Sequence, residues 1–165
     1  LGTMLGVNPD EAHGLINKYN TKAPFVKALS DRCMQKASSE GIIRTKLGRK
    51  CRFDMWEPKD FGIHTAERFD NASAKYGAQN IKRAFTYKAL NRLIQGSAAD
   101  QTKQAVVDCH EKGFTPMLQI HDELCFSIKK DEDVKIIKDA MENCMELKVP
   151  SVVDIAIGKD FGEAS

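Results

Sequence analysis

Residues Leu118 to Phe126 read LQIHDELCF, which places three ionisable side chains, His121, Asp122 and Glu123, between two short apolar runs. Runs of this kind suit a pair of strands, and the charged triplet between them then falls on a hairpin turn. Carboxylates on a rigid turn can hold a divalent cation. Magnesium takes oxygen ligands and keeps several waters, so one or two carboxylates suffice when a substrate phosphate completes its shell. Asp122 and Glu123 are therefore candidate metal ligands and, with His121, candidate catalytic groups. An ordinary solvated turn, where Asp is common, has the same spacing.

Two further groups of residues suit nucleic acid. Lys88, Asn91 and Gln95 recur at helical steps on one face with Arg92 alongside, while Leu90, Leu93, Ile94 and Ala98 form a separate apolar stripe for the core. Every base pair offers acceptors in the minor groove, so amide donors there can check the shape of a pair without reading which pair it is. The alternative is an exposed helix face. Arg44, Lys46, Arg49, Lys50 and Arg52 lie between Ile42 and Phe53 with no acid among them. Such a density of cations is self-repelling, and backbone phosphates are the natural counter-charge, although a solvated turn also accounts for it.

The elements that position these groups are read from caps and periodicity. Asn8-Pro9-Asp10-Glu11 has the form of a capping box with Pro at the first helical position, which predicts a helix to about Asn20. Pro24 interrupts it, and a second helix carrying Phe25, Leu29, Cys33 and Ala37 ends at Gly41. Ile42–Thr45 and Lys50–Phe53 then read as a hairpin. Residues Asp54 to Gln79 show no sustained period and predict an irregular connection with a short helix at His64 to Asp70. The longest helix is expected over Asn80 to Lys112, capped by Gly113, with Gly96 marking a bend or a close approach. After the charged hairpin, acids at 131–133 open a last helix that presents Val134, Ile137, Met141, Cys144 and Leu147 inward. Pro150 stops it, and Val152 to Ile157 read as a closing strand. Helices first and strands mixed with helices afterwards make the fold class α+β, long helices packed on a small antiparallel sheet. The expected division is helices over 1–41, the basic hairpin and connection over 42–80, and the long helix, charged hairpin, last helix and strand over 81–165.

Composition narrows the class. The chain of 165 residues is 42% hydrophobic and 29% charged, and no apolar run approaches the roughly 20 residues a membrane helix requires. No membrane partner is expected. Five cysteines without a CxxC pair argue for free thiols in a reducing compartment. The N-terminus has no secretory signal, and its lack of an initiator Met suggests truncation. Up to Val107 there are 18 Lys and Arg against 10 Asp and Glu; from Asp108 onward there are 7 against 13. The basic part suits a polyanion, and the acidic part suits cations or a solvated face.

In order, these pieces resemble a known family. Gln95-Gly96-Ser97-Ala98-Ala99-Asp100 followed by Gln119-Ile120-His121-Asp122-Glu123-Leu124 resembles the C-terminal polymerase region of family A DNA polymerases, the bacterial DNA polymerase I and phage replicative group. Thr45-Lys46-Leu47-Gly48-Arg49-Lys50 resembles the hairpin after the fingers helices. Val149-Pro150 with Gly158-Lys159-Asp160-Phe161 resembles the closing strand and C-terminus. The resemblance implies a polymerase palm with part of the fingers, and makes His121-Asp122-Glu123 its motif C. Asp122 is then a catalytic metal ligand, Glu123 an assisting acid and His121 a contact near the primer terminus. Asn91 and Gln95 match amides that contact the pair from the minor groove, and Arg49 with its neighbours matches a hairpin near the duplex backbone. The implied partners are primer–template DNA and deoxynucleoside triphosphates, in the cytoplasm of a bacterial or phage-infected cell. The implied reaction is attack of a primer 3′-hydroxyl on the α-phosphorus with release of pyrophosphate, assisted by two magnesium ions.

Two departures accompany the match. Where the family usually has an Arg four residues before the Asn, this chain has Tyr87 with Lys88 beside it. The family's other metal-binding Asp and the Lys and aromatic residue of its nucleotide-binding helix match no position here. The expectation is that this chain alone is inactive and works with an upstream polymerase segment or a second subunit. The competing readings are a non-catalytic nucleic-acid-binding module and a metal-dependent phosphohydrolase built on His121-Asp122.

Overall fold

A computed structural model describes residues 2–60 and 62–164. Two compact units are formed, Leu1–Ile94 and Gln95–Ser165, with the boundary inside one long helix.

In the first unit, α1 (Gly2–Leu5) precedes α2 (Pro9–Lys22), which starts on the expected capping box. Asn8 Oδ1 accepts from the Glu11 amide at 2.9 Å, and Glu11 Oε2 accepts from the Asn8 amide at 3.2 Å. The α3 helix (Pro24–Glu40) ends on Gly41 at φ +72°, a left-handed cap that suits glycine. Strands β1 (Ile42–Arg44) and β2 (Lys50–Arg52) follow as the basic hairpin. Ile43 pairs with Cys51 on the inner face, while Arg44 pairs with Lys50 and Ile42 with Arg52 on the other. Strand alternation thus separates apolar anchor from charge. Ile43 joins Cys33, Ala37, Phe53 and Ala89 in the core of this unit, with Leu90 and Leu93 packed against it.

The connection after the hairpin is more ordered than its sequence predicts. Strands β3 (Met55–Pro58), β4 (Glu67–Arg68) and β5 (Ile81–Arg83) form an antiparallel sheet in the order β4-β3-β5. Between β4 and β5 lies α4 (Phe69–Tyr76), later than the expected helix at His64 to Asp70. The Trp56 and Phe69 rings meet edge to face at 5.0 Å. Strands of two to four residues are too short to show a period, and only pairing in three dimensions defines them. The same pairing corrects the long helix. Ile81 is buried opposite Pro58, so residues 81–83 belong to the sheet, and the Ala84 amide after them donates to the Met55 carbonyl. A 3-10 turn over Thr86–Lys88 then leads into α5 (Ala89–Glu111).

In the second unit, α5 ends with Gly113 at φ +91°, and the Phe114 amide returns to the Cys109 carbonyl at 2.9 Å. Strands β6 (Leu118–Ile120) and β7 (Glu123–Cys125) pair antiparallel, and α6 (Asp131–Asn143) covers α5 through two small cores. One joins Ala105, Cys144 and Met145; the other joins Cys109, Ile137 and Ala140. Leu147, expected inward, lies beyond the end of α6 and is exposed. Val152 to Ile157 are not a strand: among the described residues no strand pairs with them, and the Val153 amide donates instead to Glu142 Oε1 at 2.9 Å. The short helix α7 (Phe161–Ala164) follows.

Candidate active-site turn and nucleic-acid interface

His121 and Asp122 form a two-residue turn between Ile120 and Glu123, which face each other across the β6–β7 ladder. Two-residue hairpins favour turns with positive φ at the first central residue, and His121 adopts +52° there. A non-glycine residue in that region is strained by about 1–3 kcal/mol, an arrangement that concentrates at functional sites. The Gln119 side-chain amide donates to the His121 carbonyl at 3.1 Å and steadies the turn. Glu123 is the first residue of β7 rather than part of the turn. All three side chains are exposed, and neither carboxylate makes an ion pair or side-chain hydrogen bond with another described residue. Two adjacent oxygen donors fit a hard cation such as magnesium in chemistry, and are too few to enclose one. Among the described residues no group of three or more His, Cys, Asp or Glu side chains could hold a metal ion.

On α5, Asn91 and Gln95 are exposed one turn apart. Leu90 and Leu93 pack inward as expected, but Ile94 is 53% exposed and Ala98 is also at the surface. The apolar stripe is therefore narrower than its sequence suggests. Arg92 is drawn to the base of the basic hairpin: its guanidinium lies 4.7 Å from the Phe53 ring centroid, and Nη1 donates to the Arg52 carbonyl at 2.9 Å. Lys88 is exposed, its ammonium 5.1 Å from the Phe85 ring centroid and 5.5 Å from that of Tyr87.

The basic hairpin presents Arg44, Lys46, Arg49, Lys50 and Arg52 at its surface. Its turn is closed by the Thr45 amide on the Arg49 carbonyl and by the Arg49 amide on Thr45 Oγ1, each at 3.0 Å. Arg44 and Lys50 are direct cross-strand partners, a like-charge pair that destabilises a hairpin without counter-charge. Among the described residues neither has a carboxylate partner; Arg44 donates to the Gly48 carbonyl at 3.1 Å.

Sequence reasoning missed Arg83. Its guanidinium lies 4.6 Å from the Trp56 ring centroid and donates to the Phe53 carbonyl at 2.9 Å, so Arg83 and Arg92 both grip the end of β2. Nothing in one-dimensional spacing marks either contact, since Arg83 and Phe53 are 30 residues apart.

The chain matches the model of DNA polymerase family A over residues 1–163, and it belongs to that family. It is 38% identical over 154 residues to a DNA-directed DNA polymerase of Pseudomonas phage M6, covering 93% of this chain and 20% of that protein. Against DNA polymerase I of Bacillus subtilis it is 31% identical, covering 99% of this chain and 18% of the relative. Among solved structures it is similar to the polymerase domain of Pol1 from M. smegmatis in complex with DNA primer-template and dNTP. That match has a TM-score of 0.66 and 25% identity, and covers 91% of this chain and 25% of the other. The chain thus spans about a fifth of the length of the curated relatives it matches.

Proposed function

We propose that this chain supplies the C-terminal palm and part of the fingers of a DNA-directed DNA polymerase, which adds deoxynucleotides to a primer 3′ end. The observation that carries the reading is the strained two-residue turn of a family A polymerase chain, with Asp122 exposed and unpartnered at its tip and Glu123 exposed and unpartnered at the start of β7. Asp122, with Glu123 beside it, would hold magnesium; when bound, the metal stabilises charge on the attacking and leaving oxygens. His121 lies next to the primer terminus in this reading. Asn91 and Gln95 offer amide donors to the minor-groove acceptors of the nascent pair. Lys88 and the hairpin cations Arg44, Arg49, Lys50 and Arg52 neutralise backbone phosphates, while Arg92 supports them by holding the Arg52 carbonyl.

Two carboxylates on one hairpin leave the cation shell incomplete, so the reading includes a second group of metal ligands. An upstream polymerase segment or a second subunit provides it, along with the nucleotide-binding helix, and the chain by itself does not extend a primer. The test is primer extension by a chimera that joins this chain to the preceding segment of the phage M6 polymerase. The chimera is expected to extend and the isolated chain is not. Asp122→Ala in the chimera is expected to lower the rate at least 100-fold, the scale on which electrostatic stabilisation of a transition state is lost. Extension that survives Asp122→Ala would leave only a nucleic-acid-binding module.

A further inference from the structure

Between the buried Ala84 and Ala89, four residues carry the chain from β5 into α5: Phe85, Thr86, Tyr87 and Lys88. Both ends are fixed. Ala84 is hydrogen-bonded to the Met55 carbonyl, and Ala89 sits in the core beside Phe53. The turn between them holds Phe85 at φ +61°, a left-handed conformation that a bulky residue adopts only when its surroundings impose it. Two residues on, Tyr87 is 68% exposed, with the Lys88 ammonium over one face of its ring 5.5 Å from the centroid and the other face left for stacking. A ring so exposed gains little from burial, so packing does not account for an aromatic side chain at Tyr87.

An exposed aromatic ring beside an ammonium matches both parts of a nucleotide. The ring face stacks on a base, and the cation meets the phosphate attached to it. Asn91, one helical turn further along the same surface, makes no side-chain hydrogen bond with another described residue and extends the polar face. Inside a duplex both faces of every base are already covered by neighbours, so a protein ring can stack only on a base that lacks one. We propose that Tyr87 is a stacking platform for an unpaired base of the bound DNA strand, with Lys88 at the adjoining phosphate. This rests on the DNA-binding reading above and adds to it a residue and a strand state.

The experiment is equilibrium binding of the 165-residue chain to a primer–template whose single-stranded overhang carries 2-aminopurine, with the blunt duplex as control. Tyr87→Leu keeps the bulk and removes the π face; circular dichroism verifies that the variant is folded. It is expected to weaken binding to the overhang substrate about tenfold and to abolish quenching of the 2-aminopurine, with no change in salt slope. Tyr87→Phe should retain both binding and quenching. Unaltered affinity and quenching in Tyr87→Leu, while Arg44→Gln/Lys50→Gln weakens binding, would overturn the platform and leave the DNA reading standing. An equal loss on the blunt duplex would overturn it as well, because that duplex has no unpaired base. Failure of the unsubstituted sequence to bind either DNA, both alone and within the chimera, would remove both readings.

Discussion

Gly41 shows how much one residue can carry. It ends α3 at φ +72°, accepts the Phe53 amide on its carbonyl at 2.8 Å, and lies under the Arg83 guanidinium, whose central carbon would be 2.5 Å from any added Cβ. Gly41→Ala therefore introduces both backbone strain and a collision with a guanidinium held by Trp56 and the Phe53 carbonyl. A loss of about 1–3 kcal/mol is expected from the backbone alone, read as a lower thermal midpoint. Arg83→Ala should relieve only the collision, so the double substitution remains less stable than Arg83→Ala alone. Equal midpoints for those two chains would show that Gly41 is there for space and not for its conformation. That Gly41 ends a helix was legible from its place after a periodic run; that it also makes room for Arg83 was not.

The basic hairpin is the element whose sequence and structure agree most closely. Two short runs flank a Gly-containing turn, and each strand has an inner anchor, Ile43 or Cys51, and an outer cation. Its strand cations Arg44, Lys50 and Arg52 share one face because side chains alternate, and in the proposed function they meet a polyanion together. Each neutralised phosphate releases counterions and contributes about 0.9 to the salt slope on duplex DNA. Arg44→Gln/Lys50→Gln is therefore expected to reduce that slope by about 1.8 in a titration of DNA affinity against salt. An unchanged slope would mean that these cations face only solvent. The three-stranded sheet was illegible for the opposite reason: its strands of two to four residues are separated by up to 12 residues of other structure, so no local pattern links them.

At the scale of the molecule, five free cysteines report on both compact units. Burial pushes the thiols of Cys33, Cys109 and Cys144 up, and Asp108 adds to the effect at Cys109 and Cys144. Cys51 and Cys125 are only partly buried. Because the thiolate is the nucleophile, Cys51 and Cys125 should be alkylated first near neutral pH, and the other three only as denaturant opens the core around them. Mass mapping of the modified peptides would check this order. Early modification of Cys33 would mean that the first unit opens readily, and early modification of Cys109 and Cys144 would say the same of the second.

The amino-acid sequence by itself determined the α+β class, the capped helices, the basic hairpin, the charged hairpin and, through ordered motifs, the polymerase family. Those features are local: a cap, a periodic stripe or a turn is complete within a few residues, and a motif keeps its order along the chain. Tertiary structure decided what depends on partners distant in sequence. It moved residues 81–83 from helix to sheet, turned Arg92 and Arg83 onto the end of β2, and left Val152 to Ile157 without a partner strand among the described residues. Hydrogen bonds to a neighbouring strand, and the space beside a glycine or an aromatic ring, exist only after the chain has folded.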